Sequence, residues 1–263
     1  PSMGNTRKML RREQAVLAAG LVAVIALSWG WLLIGAGMDM TALEMTAMAG
    51  MDGWAMQPAE WTLGYIVLMV CMWQVMMTAM MLPSAAPVLA LYASMARKRR
   101  DQGRPLGQVG TFALGYLGTW GAFSVIATAA QWALEAARLL SPMLETTNVW
   151  LGSVLFISAG LWQLTPIKSA CLRHCRSPLG FLMSCWRPGA WGAFRMGARH
   201  GFYCLGCCWC LMALLFFGGI MNLYWIAGLA VFVLLEKTFS HAHWFGRVTG
   251  VALVGWGLAL PVM

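Results

Sequence analysis

The chain has 263 residues, of which 60% are hydrophobic and 10% charged. Soluble domains carry about 25% charged residues, so an ordinary soluble globular protein is excluded and a membrane protein is expected. The formal net charge is +9, but the cations sit in short loops between apolar runs, so they report on membrane orientation and not on nucleic-acid binding.

A helix needs roughly 20 apolar residues to cross a hydrocarbon core, and seven segments approach that length. They lie near 15–37, 61–82, 111–134, 149–164, 202–220, 224–240 and 245–260. The first carries no small-residue cleavage pattern and is expected to be kept as a span. The second is expected to stop at Pro83, with "PSAAPVLALYASMA" (Pro83 to Ala96) as a kinked continuation or an interfacial piece. The fourth is short and ends near Pro166. The sixth is short and is expected to continue past Glu236. With seven spans, every Lys and Arg except Arg138 falls on one side, and six of the nine acids fall on the other. That asymmetry sets the orientation. The expected fold class is an all-α polytopic transmembrane bundle of about seven spans, a single membrane domain over 1–263, with its N-terminus cytoplasmic.

Candidate ligands occur in four clusters. The loop Met38 to Met56 holds six methionines and three carboxylates, Asp39, Glu44 and Asp52. Thioethers are soft, proton-free donors that suit Cu(I), although Met also serves as an adaptable apolar residue. In the second span Met69, Met72, Met76 and Met80 fall on one helical face, flanked by Met77 and Met81. The loop at 171–189 places Cys171, His174 and Cys175 at close spacing, followed by Cys185; neighbouring Cys and His side chains can share one ion. In "HGFYCLGCCWCLM" (His200 to Met212), His200, Cys204 and Cys207 share a face with Cys208 at its edge, while Cys210 points elsewhere. Glu236 is a fifth candidate, because a carboxylate within a span is costly to bury; pairing with Lys237 or a loop arginine is its structural alternative. His241 and His243 follow it. The predicted topology brings the second, third and fourth clusters and Glu236 to the cytoplasmic leaflet.

"MMTAMMLPSAAP" (Met76 to Pro87), "CRSPLGFL" (Cys175 to Leu182), "GAFRMGARHGFYCLGCCWCLM" (Gly192 to Met212), "GGIMNLYWIA" (Gly218 to Ala227) and Glu236–Lys237 together resemble a bacterial family of predicted metal-binding integral membrane proteins, a domain of unknown function. The resemblance runs from about Trp61 to Lys237. It implies a multi-span inner-membrane protein and a metal, but neither the metal's identity nor a reaction. The residues matching its motifs are Met76, Met77, Met80, Met81, Cys175, His200, Cys204, Cys207, Cys208, Met212, Glu236 and Lys237.

Three functional readings follow. In the first, the protein binds and transfers copper(I), or another transition metal. Met72, Met76 and Met80 relay it to Cys204, Cys207, Cys208 and His200, with Cys171, His174 and Cys175 nearby and Glu236 as an orienting partner or proton acceptor. In the second, it is a metal-bearing membrane oxidoreductase or a subunit of a membrane monooxygenase-type complex; four histidines are few for such a centre. In the third, it is a thiol redox protein using the C-x-x-C pair Cys204 and Cys207, or a structural subunit. Expected partners are the lipid bilayer, and membrane-complex subunits or a copper chaperone. The absence of a P-loop leaves nothing to imply ATP-driven pumping.

Overall fold

The computed structural model describes residues 3–38, 40–48, 60–98, 105–141, 144–239 and 242–263. Among these the chain is helical, without β-strands apart from one isolated bridge between Leu140 and Thr146. The elements in order are α1 (Met3–Leu33), α2 (Ala42–Met48), α3 (Leu63–Lys98), α4 (Pro105–Ala136), α5 (Val149–Leu164), α6 (Pro166–Arg176), α7 (Pro178–Cys185), α8 (Gly189–Ala213), α9 (Leu215–Gly218), α10 (Leu223–Thr238) and α11 (Ala242–Ala259), closed by a 3₁₀ turn, Leu260–Val262.

Five stretches are long and apolar enough to cross a membrane: Arg12–Leu33, Leu63–Arg97, Gln108–Ala136, Gly189–Gly218 and Trp244–Val262. A sixth arises if α5 and α6, bent by 66°, act as one broken span. This is fewer than the seven expected, for reasons of length. α10 has 16 residues, about 24 Å at 1.5 Å per residue, against a hydrocarbon core of roughly 30 Å. α5 is equally short. Its end is written locally: Thr165 is extended, as a residue before proline must be, and Pro166 opens α6. The Thr165 hydroxyl accepts the Lys168 amide at 3.2 Å, which fixes the start of α6 and turns Lys168 inward.

Two further boundaries differ from the sequence reading. α3 does not stop at Pro83 but runs through both Pro83 and Pro87 to Lys98. α8 opens at Gly189, 13 residues before the expected start. Cys204 therefore lies about 22 Å along a 30-residue apolar stretch, near its middle and not at one end.

α4 and α8 form the tightest seam. A Cβ added at Gly115 would collide with the Phe194 carbonyl, and one at Gly197 with the Phe112 carbonyl; at Gly201 it would lie 2.9 Å from Thr119. Gly197 and Gly201 are four apart, the small-residue spacing that lets two membrane helices meet backbone to backbone. This seam sets α8 against Tyr116 of α4. Outward-facing residues are strongly apolar: Leu27, Ile126, Phe202, Trp244 and Val251 are all more than 60% exposed.

Candidate metal centre

α3, α4, α8 and α10 meet around Cys204. The sulfur faces of α8 are buried without exception: Cys204, Cys207 and Cys208 are each at most 1% exposed. The Cys207 and Cys208 thiols both donate to the Cys204 carbonyl at 3.0 Å. Cys175 of α6 is partly buried and packs against the same core. From α3, the Met81 thioether lies 3.9 Å from Cys208 Sγ. The result is a buried sulfur cluster drawn from α8 and α3, with Cys175 of α6 at its edge.

Charge and hydroxyl groups close around it. Lys237 Nζ donates to Cys204 Sγ at 2.9 Å and to Ser84 Oγ at 3.1 Å. The Tyr116 hydroxyl lies 3.1 Å from Cys204 Sγ and donates to the Met81 carbonyl at 3.2 Å. One ammonium and one phenol thus tie the thiol helix to α3, α4 and α10. Burying that ammonium is expensive unless its protons are used, and the sulfur and the serine both use them.

Glu236 has a different partner. Its Oε1 accepts from Lys168 Nζ at 2.6 Å, with both side chains at most 2% exposed, and its second oxygen has no hydrogen-bond partner. Arg176 grips the Glu236 backbone carbonyl through Nε at 3.0 Å and a second nitrogen at 2.6 Å. Consecutive helical residues point about 100° apart, so Glu236 faces α6 while Lys237 faces α3 and α8. A pair between Glu236 and Lys237 themselves is not what forms.

The remaining candidates divide. Met72, Met76 and Met80 are buried, at most 2% exposed, on α3 above Met81. Met69, at the far end of that stripe, accepts from Gln131 Nε2 at 3.5 Å. Cys171 is half-buried and packs on the α8 backbone at Gly206. His200 is buried in a ring cage of Phe112, Tyr116 and Phe181, with centroids at 6.3, 5.8 and 5.2 Å; its Nδ1 has no partner. His174 is exposed, stacked on Tyr203 at 4.1 Å and hydrogen-bonded to the Ala170 carbonyl at 2.9 Å. Cys185 contacts Ser184 Oγ at 3.5 Å. Cys210 is buried. In the loop from Met38 to Met56, Met45 is buried, while Asp39, Met51, Asp52 and Met56 lie outside the described residues, as does His241.

Tyr116, Ser84 and Lys168 were not singled out by sequence. Tyr116 and Ser84 carry no motif; Lys168 stands beside the proline break that aims it inward. Among the described residues, no group of three or more His, Cys, Asp or Glu is placed to hold a metal ion. The thiol hydrogens are spent on the Cys204 carbonyl, and the thioether that completes the sulfur set lies outside those residue types.

The profile of one protein family, PpoB2, described as copper chaperone, matches residues 70–260, from within α3 to the start of the closing 3₁₀ turn. No curated protein and no solved structure matches the chain.

Proposed function

The chain belongs to the PpoB2 copper-chaperone family, and we propose that it binds copper(I) as cargo within a bacterial inner membrane and passes it on through buried sulfur. The observation that carries this reading is the meeting of the Met81 thioether and the Cys208 thiol, 3.9 Å apart and fully buried. Thiol and thioether together form a soft donor set that favours Cu(I) over Mg, Ca or Mn. Cys204, Cys207, Cys208 and Met81 are the ligands of first choice, with Cys175 at the edge of the same core. Binding requires Cys207 and Cys208 to turn away from the Cys204 carbonyl and release their protons. Lys237 holds the Cys204 sulfur in place and supplies a positive charge beside a centre that gains thiolates. Met72, Met76 and Met80 form the approach along α3. His200, with an unused ring nitrogen in an apolar cage, is a reserve ligand that a rotation would bring into play.

The N-terminus is cytoplasmic in this reading, following the loop cations. The membrane also supplies the exit, by handover to a soluble copper chaperone or to a subunit of a membrane complex. The test is metal analysis of detergent-purified protein after anaerobic reloading with Cu(I), beside a variant with Cys204, Cys207 and Cys208 all changed to Ser. Roughly stoichiometric copper that is lost in the variant, with sulfur-only scattering by X-ray absorption, supports the reading. Wild-type protein that stays free of copper after reloading sinks it.

One observation favours a second reading. Cys204 accepts from an ammonium and lies 3.1 Å from a phenol hydroxyl, a setting suited to a reactive thiol. A redox protein would form a Cys204–Cys207 disulfide reversibly, two protons leaving and two electrons passing to an electron-accepting partner. Thiol counting after poising at graded potentials distinguishes the two: thiols that titrate without copper support redox chemistry.

A further inference from the structure

Away from the sulfur cluster, α1 and α3 leave a long apolar groove between them, with a cavity of about 530 Å³. That falls within the roughly 300–1,000 Å³ of small-molecule sites. Leu17, Leu21 and Ile25 of α1 form one wall, and Pro87, Ala90 and Ala93 of α3 the other. Small residues at this spacing on α3 hollow the groove out opposite the leucines. From Pro83 at its closed end to Arg97 at its mouth is about 21 Å of helix, longer than the roughly 15 Å of one leaflet's hydrocarbon. The other side of α1 faces outward, with Leu27 74% exposed.

The mouth is charged. Glu13 and Arg97 face each other across it, with Arg97 NH1 at 3.2 Å from Glu13 Oε2. That contact occupies one nitrogen of a guanidinium that carries five N–H donors. Arg12 is exposed beside Glu13. Two cations, Arg12 and Arg97, against one carboxylate, Glu13, leave the described mouth net positive.

We propose that this groove is a binding site for one anionic phospholipid, with an acyl chain along α1 and α3 and its phosphate on Arg97. The argument is complementarity at both ends. The groove is apolar and longer than one leaflet's hydrocarbon, so it takes an acyl chain along its length. Its mouth offers a planar guanidinium fork, which matches phosphate geometry, in a basic surrounding that attracts anionic headgroups. A neutral isoprenoid would fill the groove and leave the cations unanswered. The closed end at Pro83 lies two residues from Met81, so the lipid backs the same stretch of α3 that faces the thiols. The site stands independently of the copper reading.

The test is native mass spectrometry of the protein in mild detergent, offered an equal mixture of phosphatidylglycerol and phosphatidylethanolamine. Wild-type protein is expected to retain one phosphatidylglycerol in preference. Arg97→Gln should lower that preference about fivefold, the worth of one basic group near the surface, and Arg97→Lys, which keeps the charge but not the fork, should fall between that variant and wild type. Ala90→Trp fills the groove and should abolish retention; Ala90→Leu is the milder filling if the tryptophan variant does not fold. Equal retention of the two lipids, retention unchanged by filling the groove, or recovery of a stoichiometric isoprenoid quinone in place of lipid overturns the proposal.

Discussion

Lys237 Nζ sits 2.9 Å from Cys204 Sγ in the core, while its sequence neighbour Glu236 turns away to Lys168. A lysine aimed at sulfur and not at the adjacent carboxylate is an orienting partner of the thiol centre. Lys237→Met keeps the length of the side chain and removes its charge and its protons. Losing such a partner typically costs about 10- to 100-fold in metal affinity. Competition against a Cu(I) chelator of known affinity measures it. Affinity equal to wild type would remove Lys237 from the centre.

The Lys168–Glu236 pair is buried on both sides. Deleting one member of such a pair leaves the other charge unanswered and costs about 3–5 kcal/mol, whereas replacing both with apolar groups can be near neutral. Lys168→Met and Glu236→Leu should each lower the unfolding transition in detergent substantially, and the double variant should recover most of the loss. Losses that simply add would show that the two residues are not coupled. Arg176 holds the backbone carbonyl of Glu236, so its grip survives in all three proteins.

Met81→Leu separates sulfur chemistry from packing. The two side chains have similar volume, and such swaps usually cost less than about 1.5 kcal/mol. Stability should therefore barely change, while X-ray absorption of the copper-loaded protein loses one sulfur neighbour and copper retention falls. Met72→Leu and Met76→Leu, higher on the same helix, should leave the ligand count intact and slow loading instead. An unaltered sulfur count in Met81→Leu would take the thioether out of the centre.

His174 provides the contrast. It is exposed and stacked on Tyr203 of α8, at the rim and outside the buried thiols. Surface changes of this kind usually stay within about 0.5 kcal/mol. His174→Ala should retain copper and stability alike; loss of copper would bring this histidine back into the ligand set.

These contrasts show what was legible in the sequence and what was not. Helical character and the membrane class follow from long apolar runs, which need no tertiary knowledge. The shared face of Cys204, Cys207 and Cys208 follows from helical periodicity alone, and all three are buried as that face requires. Span limits were less legible, because Pro83 sits inside α3 and Pro166 bends a chain that periodicity would have stopped. Tyr116 and Ser84 could not be found by pattern: each matters only because a partner from another helix arrives there. Lys237 carried a usable signal, since neighbours 100° apart on a helix cannot both face the same partner.

The glycines of α4 offer the most direct check on the architecture that delivers Tyr116 to Cys204. Gly115 faces α8, where an added Cβ would collide with the Phe194 carbonyl, a backbone atom that cannot swing aside. Gly118, three residues on, has nothing within 4 Å of an added Cβ. Gly→Ala in an open helical position usually gains about 0.5–1 kcal/mol through reduced backbone freedom, whereas overpacking costs about 1–3 kcal/mol or more. Gly118→Ala should thus be neutral or slightly stabilising and keep its copper. Gly115→Ala should unfold earlier and lose copper together with stability, because the displaced α8 carries Cys204 away from Tyr116. If both variants behave alike in thermal unfolding and copper loading, α4 and α8 do not meet along this face, and the sulfur cluster is not assembled by that seam.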